Sequence, residues 1–504
     1  MGNLSKNATL LLQQRYCHPG ETPHEVYRRV SEAMGMGDQV FARRLYNLMV
    51  KSVFLPNSPA IRNGGKPNGL LHACFVLPIA DDINSIFKRV ADMANIFKAG
   101  GGVGINFSPL RPAGTPLSSG GTSSGAVSFM NVFDTTTEIV KQGGFRRGAL
   151  MGIMNYNHPE IYDFMSVKLN TNKLTNFNLS VLVDDYFMKA CRDDLNIELA
   201  FNEKVYQIVR ARDIFDKIVY GAWRRGDPSL VFYDRINQDN PLFPETAIVC
   251  TNPCAEVPLP PFGACTLGSI NLTKFVKGNE FDFAGFYETC KLASKALLNV
   301  NKVSHYPVPE IAETMEKLNP FGLGVMGFAD TLIMLGIKYD SEDCLKFIDE
   351  LQLPYRVATN EMSPDSFYHR VIAPTGSLSI LANCSSGIEP VFDTVFERHL
   401  TVGVIEETRD IYKSQYIRTA HEVSPEWHIK VLAQWQKYVD GGVSKTINLP
   451  YEATLKDIKD VFIQAWKLGV KGITVFRDGC LGEQGQVLIR KPNKCEEGSE
   501  VCHL

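Results

Sequence analysis

Long hydrophobic runs are missing from this chain of 504 residues. Its apolar stretches, such as residues 73–80, are far shorter than the roughly 20 residues that a helix needs to cross a bilayer. No cationic segment followed by an apolar core opens the sequence, so we expect no secretory signal peptide. Charge of one sign is not in excess either, and the formal net charge is −3. This balance gives no reason to expect a nucleic acid or a membrane as partner.

The CxxC motif of zinc ribbons and thioredoxin-like proteins is also missing, although the chain has twelve cysteines. Without a signal peptide the compartment is reducing, so the default cysteine is a small buried apolar residue. We keep that interpretation for Cys17, Cys191, Cys250, Cys290, Cys344, Cys384 and Cys480. A dinucleotide-binding motif is excluded as well, because the glycines at 100–104 lack the third glycine and follow a helical rather than a strand pattern.

Strand and helix patterns alternate over most of the sequence. Residues 8–50 have helical spacing of apolar residues, and the patterns that follow predict strands at 73–78, 102–107, 179–183 and 246–249. Further helices are predicted at 282–300, 324–335, 426–439 and 455–468. This alternation indicates an α/β barrel or a doubly wound sheet. We expect a helical region at 1–53, an α/β domain at 54–485 and a flexible polar tail at 486–504.

The segment 251–265, TNPCAEVPLPPFGAC, carries the strongest chemical signal. Asn252, Cys254 and Glu256 are spaced by two, which in extended backbone turns an amide, a thiol and a carboxylate to one side. Four prolines stiffen the segment and favour a rigid loop over a central strand. Three interpretations stay open on the residues alone: a cysteine nucleophile without a nearby histidine, zinc ligation with Cys250 and Cys265, or a plain surface loop.

Two further segments suggest binding or redox chemistry. The run PTGSLS at 374–379 is a turn of small residues that leads into a helix, and such a turn offers N–H groups to a phosphate. Cys495 and Cys502 lie in the charged terminal segment, where access favours thiol–disulfide exchange.

The run NPCAEVPLPPFGACTLGSINL resembles the finger loop of the ribonucleotide reductase catalytic subunit. Other runs resemble the same family in the same order over about residues 10–480: SPAIRNGG, HACFVLP, AGGGVGINFSPLRP, GGFRRGALMGIMNYNHPEI, LTNFNLSV, GLGVMGFAD, APTGSLSI, SSGIEP, VSPEWH, VSKTINLP and KGITVFRDG. The resemblance implies a ten-stranded α/β barrel of two half-barrels with a central finger loop, plus a small N-terminal helical region. It also implies thiyl-radical reduction of ribonucleotides to the 2′-deoxyribonucleotides of DNA replication, with specificity regulated by deoxynucleotide effectors.

Residue roles follow from the resemblance by position. Cys254 would carry the thiyl radical, Glu256 would be the general base and Asn252 would bind the sugar. Cys74 and Cys265 would supply two electrons and form a disulfide. No metal ligands are implied on this chain.

The resemblance also implies binding sites and partners. The implied substrate contacts are Ser58, Pro374, Thr375, Gly376, Ser377 and Ser379. The implied effector contacts are Asp81, Arg146, Lys173, Asn176 and Asn178. Cys495 and Cys502 would shuttle electrons from thioredoxin or glutaredoxin. The family default is a homodimer, and we expect it in the cytoplasm of a bacterium or a virus-infected host.

Two radical sources are compatible with the resemblance. The core motifs are closest to the adenosylcobalamin-dependent class, and no tyrosine follows Tyr451 to relay a radical from another subunit. The terminal CEEGSEVCHL, however, resembles the class that has a metal-containing subunit. We expect a ferritin-like small subunit as radical source and therefore no cofactor on this chain, with adenosylcobalamin as the alternative.

The sequence also bears on regulation and on two other protein classes. No regulatory ATP-cone is expected, because the sequence starts where the catalytic core of the family starts. Two other classes stay open. One is a glycyl-radical barrel enzyme, which VFRDGCLGEQG fits poorly, and the other is a nucleotide-sensing or zinc-stabilised binding protein.

Overall fold

The structure is a computed structural model that describes residues 4–140, 148–170, 173–400, 403–480 and 488–490. The α-helices are α1 Lys6–Arg15, α2 Pro23–Gly35, α3 Gln39–Val50, α4 Ser58–Asn63, α5 Ile83–Ala99, α6 Ala126–Ile139, α7 Ile161–Asn170, α8 Asp185–Asp193, α9 Ala211–Arg225, α10 Tyr233–Gln238, α11 Phe283–Val303, α12 Pro309–Leu318, α13 Phe328–Met334, α14 Glu342–Met362, α15 Gly376–Ala382, α16 Pro425–Gln436 and α17 Leu455–Lys467.

The β-strands are β1 Phe54–Pro56, β2 Cys74–Val76, β3 Gly102–Asn106, β4 Leu150–Asn155, β5 Phe177–Val183, β6 Asn196–Phe201, β7 Lys204–Arg210, β8 Ser229–Phe232, β9 Cys250–Thr251, β10 Pro258–Leu259, β11 Ala264–Asn271, β12 Val276–Lys277, β13 Glu280–Phe281, β14 Phe321–Met326, β15 Val395–Leu400, β16 Gly403–Thr408, β17 Thr446–Leu449, β18 Gly472–Arg477 and β19 Leu488–Arg490.

The first three helices form because each has a strong start signal. Ser5 caps α1 and Asp38 caps α3 through side-chain acceptors, and Thr22 forms a capping box with Glu25 at the start of α2. The apolar face of α2 is buried and packs against α3 and α11. The predicted N-terminal helical region is therefore confirmed, and it consists of three helices.

Ten of the described strands form one sheet in the order β1–β11–β2–β3–β4–β5–β8–β18–β17, with β14 beside β11. The strands β2, β3, β4, β5 and β8 pair in parallel. A second group pairs in parallel as β11 with β14 and β17 with β18, and it meets the first group antiparallel at β11–β2 and β18–β8. This division into two parallel groups is the arrangement expected of two half-barrels.

The named strands do not close the sheet into a barrel. A gap lies between β14 and β17, and two isolated parallel bridges cross it, Leu323 to Arg370 and Ile372 to Val443. The expected ten-stranded α/β barrel architecture is thus confirmed, but regular pairing at this seam is reduced to single bridges.

Two predicted elements are wrong. Residues 324–335 form the end of β14 and then α13, because Gly324 lets the chain at Val371 approach so closely that a Cβ would lie 2.5 Å from its carbonyl oxygen. Residues 246–249 form no strand, since the Ile248 N–H is taken by the Asn237 side chain at 2.8 Å. In both places a tertiary contact overrides the local pattern.

Candidate active site

The segment predicted to be a rigid loop is the tip of a short hairpin. Strands β9 and β10 pair antiparallel, and Asn252 N–H donates to the Val257 carbonyl at 3.2 Å. Val257 N–H donates in turn to Asn252 Oδ1 at 2.9 Å. Ala255 has a φ of 65°, so the chain turns sharply between the cysteine and the glutamate. The backbone is therefore not extended here, contrary to the prediction from the two-residue spacing.

This turn divides the three predicted residues by exposure. Asn252 and Glu256 are each only 2% exposed, whereas Cys254 is exposed at the tip. The Glu256 carbonyl accepts from Gly442 N–H at 2.6 Å, which ties the tip to the segment before β17. The hairpin thus presents a thiol to open space beside a buried carboxylate.

Glycines explain how the hairpin fits against the sheet. A Cβ on Gly104 of β3 would lie 1.7 Å from the Thr251 carbonyl oxygen, and one on Gly102 would lie 2.9 Å from Pro253 Cγ. On the other side, a Cβ on Gly442 would lie 2.9 Å from the Glu256 carbonyl oxygen. The glycine-rich run at 100–104 therefore serves close backbone approach rather than nucleotide binding.

Cys74 and Cys265 face each other directly. They are register partners in the antiparallel pair of β2 and β11, where opposed Cα atoms lie about 4.5–5.5 Å apart. Two cysteines at that separation can form a disulfide without a large backbone movement. Here both are free thiols and buried.

Asn252 links this pair to the hairpin, because its Nδ2 donates to Cys74 Sγ at 3.1 Å. Burial, with Glu256 as the next cause, raises the pKa of both the Cys74 and the Cys265 thiol. Both thiols are accordingly protonated at neutral pH. One buried cluster therefore combines a carboxylate with two thiols, which can supply protons and two electrons.

Two of the residues predicted to contact the substrate line a cavity of about 720 Å³. Pro374 and Gly376 line this cavity, and the Thr375 hydroxyl accepts from Gly387 N–H at 2.7 Å. Ser377 and Ser379 belong to α15, where Ser379 is fully buried. Ser58 is the first residue of α4 and is hydrogen-bonded to Tyr16.

The cavity and the hairpin share one strand segment. Gly442 contacts Glu256, and two residues further on Ser444 lines the cavity, followed on the same side by Thr446 and Asn448 of β17. Phe476 of β18, the register partner of Asn448, also lines it. The cavity therefore lies immediately beyond the hairpin along the sheet, although the hairpin residues themselves do not line it.

The predicted effector residues do not form one cluster. Asp81 Oδ2 pairs with Arg111 Nε at 2.6 Å, and Lys173 is exposed. Asn176 N–H donates to Asp134 Oδ1 at 2.9 Å. Asn178 is instead brought to the hairpin, where its Nδ2 donates to the Pro253 carbonyl at 2.8 Å. Arg146, Cys495 and Cys502 lie outside the described residues.

A charged network that the sequence did not indicate forms one cavity wall. Arg398 Nε donates to Glu407 Oε1 at 2.6 Å, Arg409 lies 3.5 Å from the other oxygen, and Arg409 also pairs with buried Asp330. No motif marks these residues, because the β15–β16 pairing brings Arg398 to Glu407 and the partner of Arg409, Asp330, comes from α13. The local cue was an arginine and a glutamate in an alternating pattern, which more often indicates an exposed strand.

Two kinds of feature are absent from the described ranges. There, no three His, Cys, Asp or Glu side chains are placed to hold a metal ion, so Cys250, Cys254 and Cys265 are not grouped as ligands. In the same ranges no helix is long and apolar enough to span a membrane.

The fold is that of an α/β barrel protein in which a cysteine-bearing hairpin packs against β3 and is linked through Asn252 to an opposed pair of cysteines. Sequence comparison identifies the protein family. The family profile for the ribonucleotide reductase barrel domain matches residues 72–365 and 366–476, and that for the all-alpha domain matches 2–69. The chain belongs to the ribonucleotide reductase family, as the resemblance predicted.

Three relatives illustrate the similarity. A vitamin B12-dependent ribonucleoside-diphosphate reductase of Thermoplasma acidophilum is 40% identical, over 92% of this chain and 68% of its own length. One of the same name from Mycobacterium tuberculosis is 36% identical, over 96% of this chain and 80% of its own. A ribonucleoside-diphosphate reductase subunit alpha of Chlamydia trachomatis is 24% identical, over 90% of this chain and 56% of its own.

These relatives correct the expected radical source. The expectation of a ferritin-like small subunit, and of a chain that binds no cofactor, is wrong, because the two more similar of these relatives are vitamin B12-dependent. The error came from weighing a short terminal run against the core motifs. The aromatic position in KGITVFR is Phe476, which lines the cavity but has no phenolic proton to exchange in a radical relay.

Proposed function

We propose that this protein is a catalytic subunit that reduces ribonucleoside diphosphates to 2′-deoxyribonucleotides with adenosylcobalamin as its cofactor. The observation that carries the proposal is the hairpin, which carries exposed Cys254 and buried Glu256 and is linked through Asn252 to the opposed pair Cys74 and Cys265. The diphosphate substrate and the cofactor come from the names of the relatives from Thermoplasma acidophilum and Mycobacterium tuberculosis.

The exposure of Cys254 supports its proposed role as the residue that starts the reaction. Its sulfur at the exposed tip can lose a hydrogen atom and then, as a thiyl radical, take the 3′-hydrogen of a ribose held at the cavity mouth. Glu256, 2% exposed, would remove the 3′-hydroxyl proton, and a buried carboxylate is a stronger base than one in water. After reduction, the Cys254 thiol returns the hydrogen atom to C3′.

The register pairing of Cys74 and Cys265 supports their proposed role as the reductant. The 2′-hydroxyl leaves as water with a proton from one thiol, C2′ gains a hydrogen, and the two sulfurs become a disulfide, so two electrons pass to the sugar. Asn252 Nδ2 donates to Cys74 Sγ and would stabilise this sulfur as its proton leaves. We therefore assign the proton donation to Cys74.

The residues present fit adenosylcobalamin in one respect. Cys254 is exposed, so a bound cofactor can reach its sulfur directly. The neighbouring cavity of about 720 Å³ suits one ligand of drug-like size, which the proposal assigns to the substrate. When bound, the cofactor supplies the radical equivalent that oxidises the Cys254 thiol.

Binding and partner roles are part of the proposal. The turn at 374–379 would bind the substrate phosphates beside Arg398, whose Nη1 donates to the Gly376 carbonyl at 3.3 Å. Asp81, Lys173 and Asn176 would contact a deoxynucleotide effector at the surface of a homodimer. Thioredoxin or glutaredoxin would restore the thiols through Cys495 and Cys502, and the enzyme would work in the cytoplasm.

The test uses the purified chain with CDP, adenosylcobalamin and dithiothreitol, and measures dCDP. We expect turnover without any second protein and at least an approximately 1000-fold loss in Cys254→Ser. Cys17→Ser, a partly exposed cysteine without a role in the proposed site, is the matched control and should keep its activity. Turnover in Cys254→Ser, or activity only after a metal-containing subunit is added, would overturn the proposal.

A further inference from the structure

The inward face of α1 ends on a charged residue. Ala8, Leu11 and Leu12 are fully buried, and Arg15 lies one turn further along the same face. Arg15 itself is half-buried, and a guanidinium beside a core-facing row needs specific polar partners. The placement of Arg15 therefore calls for a role beyond packing.

Arg15 and its neighbour Tyr16 reach two serines of the substrate site. Arg15 Nη1 donates to Ser377 Oγ at 3.2 Å. The Tyr16 hydroxyl, only 1% exposed, forms a 2.9 Å hydrogen bond with Ser58 Oγ. Two consecutive residues at the end of one helix thus hold two serines from distant parts of the sequence.

Two arginines lie at the start of α15. Arg398 Nη1 donates to the Gly376 carbonyl at 3.3 Å, and Arg398 is also paired with Glu407 at 2.6 Å. Arg15 reaches the first turn of α15 from the N-terminal helical region, through its bond to Ser377 Oγ. Because a guanidinium has five N–H donors, Arg15 can hold Ser377 and a phosphate oxygen together.

We propose that Arg15 binds the terminal phosphate of the nucleoside diphosphate and that Tyr16 positions Ser58 against the same substrate. The proposal rests on the proposed function and makes the N-terminal helices part of the substrate site. It differs from the simpler role of Arg15 as a cation at the C-terminal end of α1, which would affect only helix stability.

The test is Arg15→Gln, with Km and kcat for CDP and, separately, equilibrium binding of CDP and CMP without cofactor. We expect a rise of about 10- to 100-fold in Km with kcat changed less than about threefold, as for loss of one charge-assisted hydrogen bond. Affinity for CDP should fall towards that for CMP. Arg15→Lys should restore part of the loss, because it keeps the charge but not the fork.

The matched control is Arg44→Gln, an exposed arginine on α3, which should bind CDP normally. Tyr16→Phe keeps the buried ring and should raise Km only about two- to tenfold. If Arg15→Gln lowers the melting temperature but leaves CDP binding unchanged, Arg15 is structural and the inference is wrong. If the wild-type chain binds CDP through Arg15 but never reduces it, the proposed function fails while this inference stands.

Discussion

The hairpin and the cavity meet at the segment from Gly442 to Ser444, yet they are built in different ways. The hairpin is held by backbone contacts, with glycines at 102, 104 and 442 allowing carbonyl groups to approach closely. The cavity wall is held by side chains, in the network of Arg398, Glu407 and Arg409. Backbone contacts fix atoms without rotamer freedom, as hydrogen-atom transfer requires, whereas charged side chains suit a polar ligand.

Because backbone contacts hold the hairpin, we expect most of the activity to be lost when one of these contacts is blocked. In Gly104→Ala the new Cβ would lie 1.7 Å from the Thr251 carbonyl oxygen, which belongs to backbone and cannot rotate away. We expect dCDP formation to fall by at least about 100-fold, because a displacement of about 1 Å at the reacting atoms has that effect. A CDP turnover assay on folded protein measures it.

Gly472→Ala is the matched control for that variant. Gly472 is also a strand glycine, but its Cβ would lie 3.4 Å from the nearest atom, which is ordinary contact. Its activity should match that of the wild type. Normal turnover in Gly104→Ala would show that the hairpin does not depend on this close approach.

A substitution in the cavity wall should reduce the stability of the protein more than its activity. Glu407→Gln would remove the carboxylate that Arg398 and Arg409 share. The side chains of these two arginines are only 10% and 12% exposed. We expect the free energy of unfolding to fall by about 3 kcal/mol, because breaking a buried ion pair leaves a charge uncompensated. Urea denaturation measures this, and kcat should change much less than in Gly104→Ala.

Glu406→Gln provides the comparison on the same strand. Glu406 is exposed, so its replacement should change the free energy of unfolding by less than about 0.5 kcal/mol. Equal losses in the two variants would mean that the network at Glu407 contributes nothing specific.

The two regions also differ in how far sequence could predict them. Asn252, Cys254 and Glu256 were located correctly on one loop, but the extended spacing offered as the reason is wrong, since Ala255 reverses the chain. Glu407 and its arginines were not predicted, because strand pairing assembles them from a segment without a motif. Functional residues that are neighbours in the sequence can be predicted from it, whereas a network between strands depends on the register in which the strands pair.

Asn178 offers the smallest and most specific perturbation, because it connects the predicted effector segment to the hairpin. The exposed Asn178 side chain makes a single, partly buried hydrogen bond to the Pro253 carbonyl, next to Cys254, the proposed radical carrier. We expect Asn178→Ala to lower kcat about two- to tenfold with little change in stability or in Km for CDP. Asn196→Ala, at an exposed asparagine on β6, is the control. If Asn178 acts only on effector binding, kcat measured without effector would stay at the wild-type value; a loss there instead assigns it to positioning Cys254.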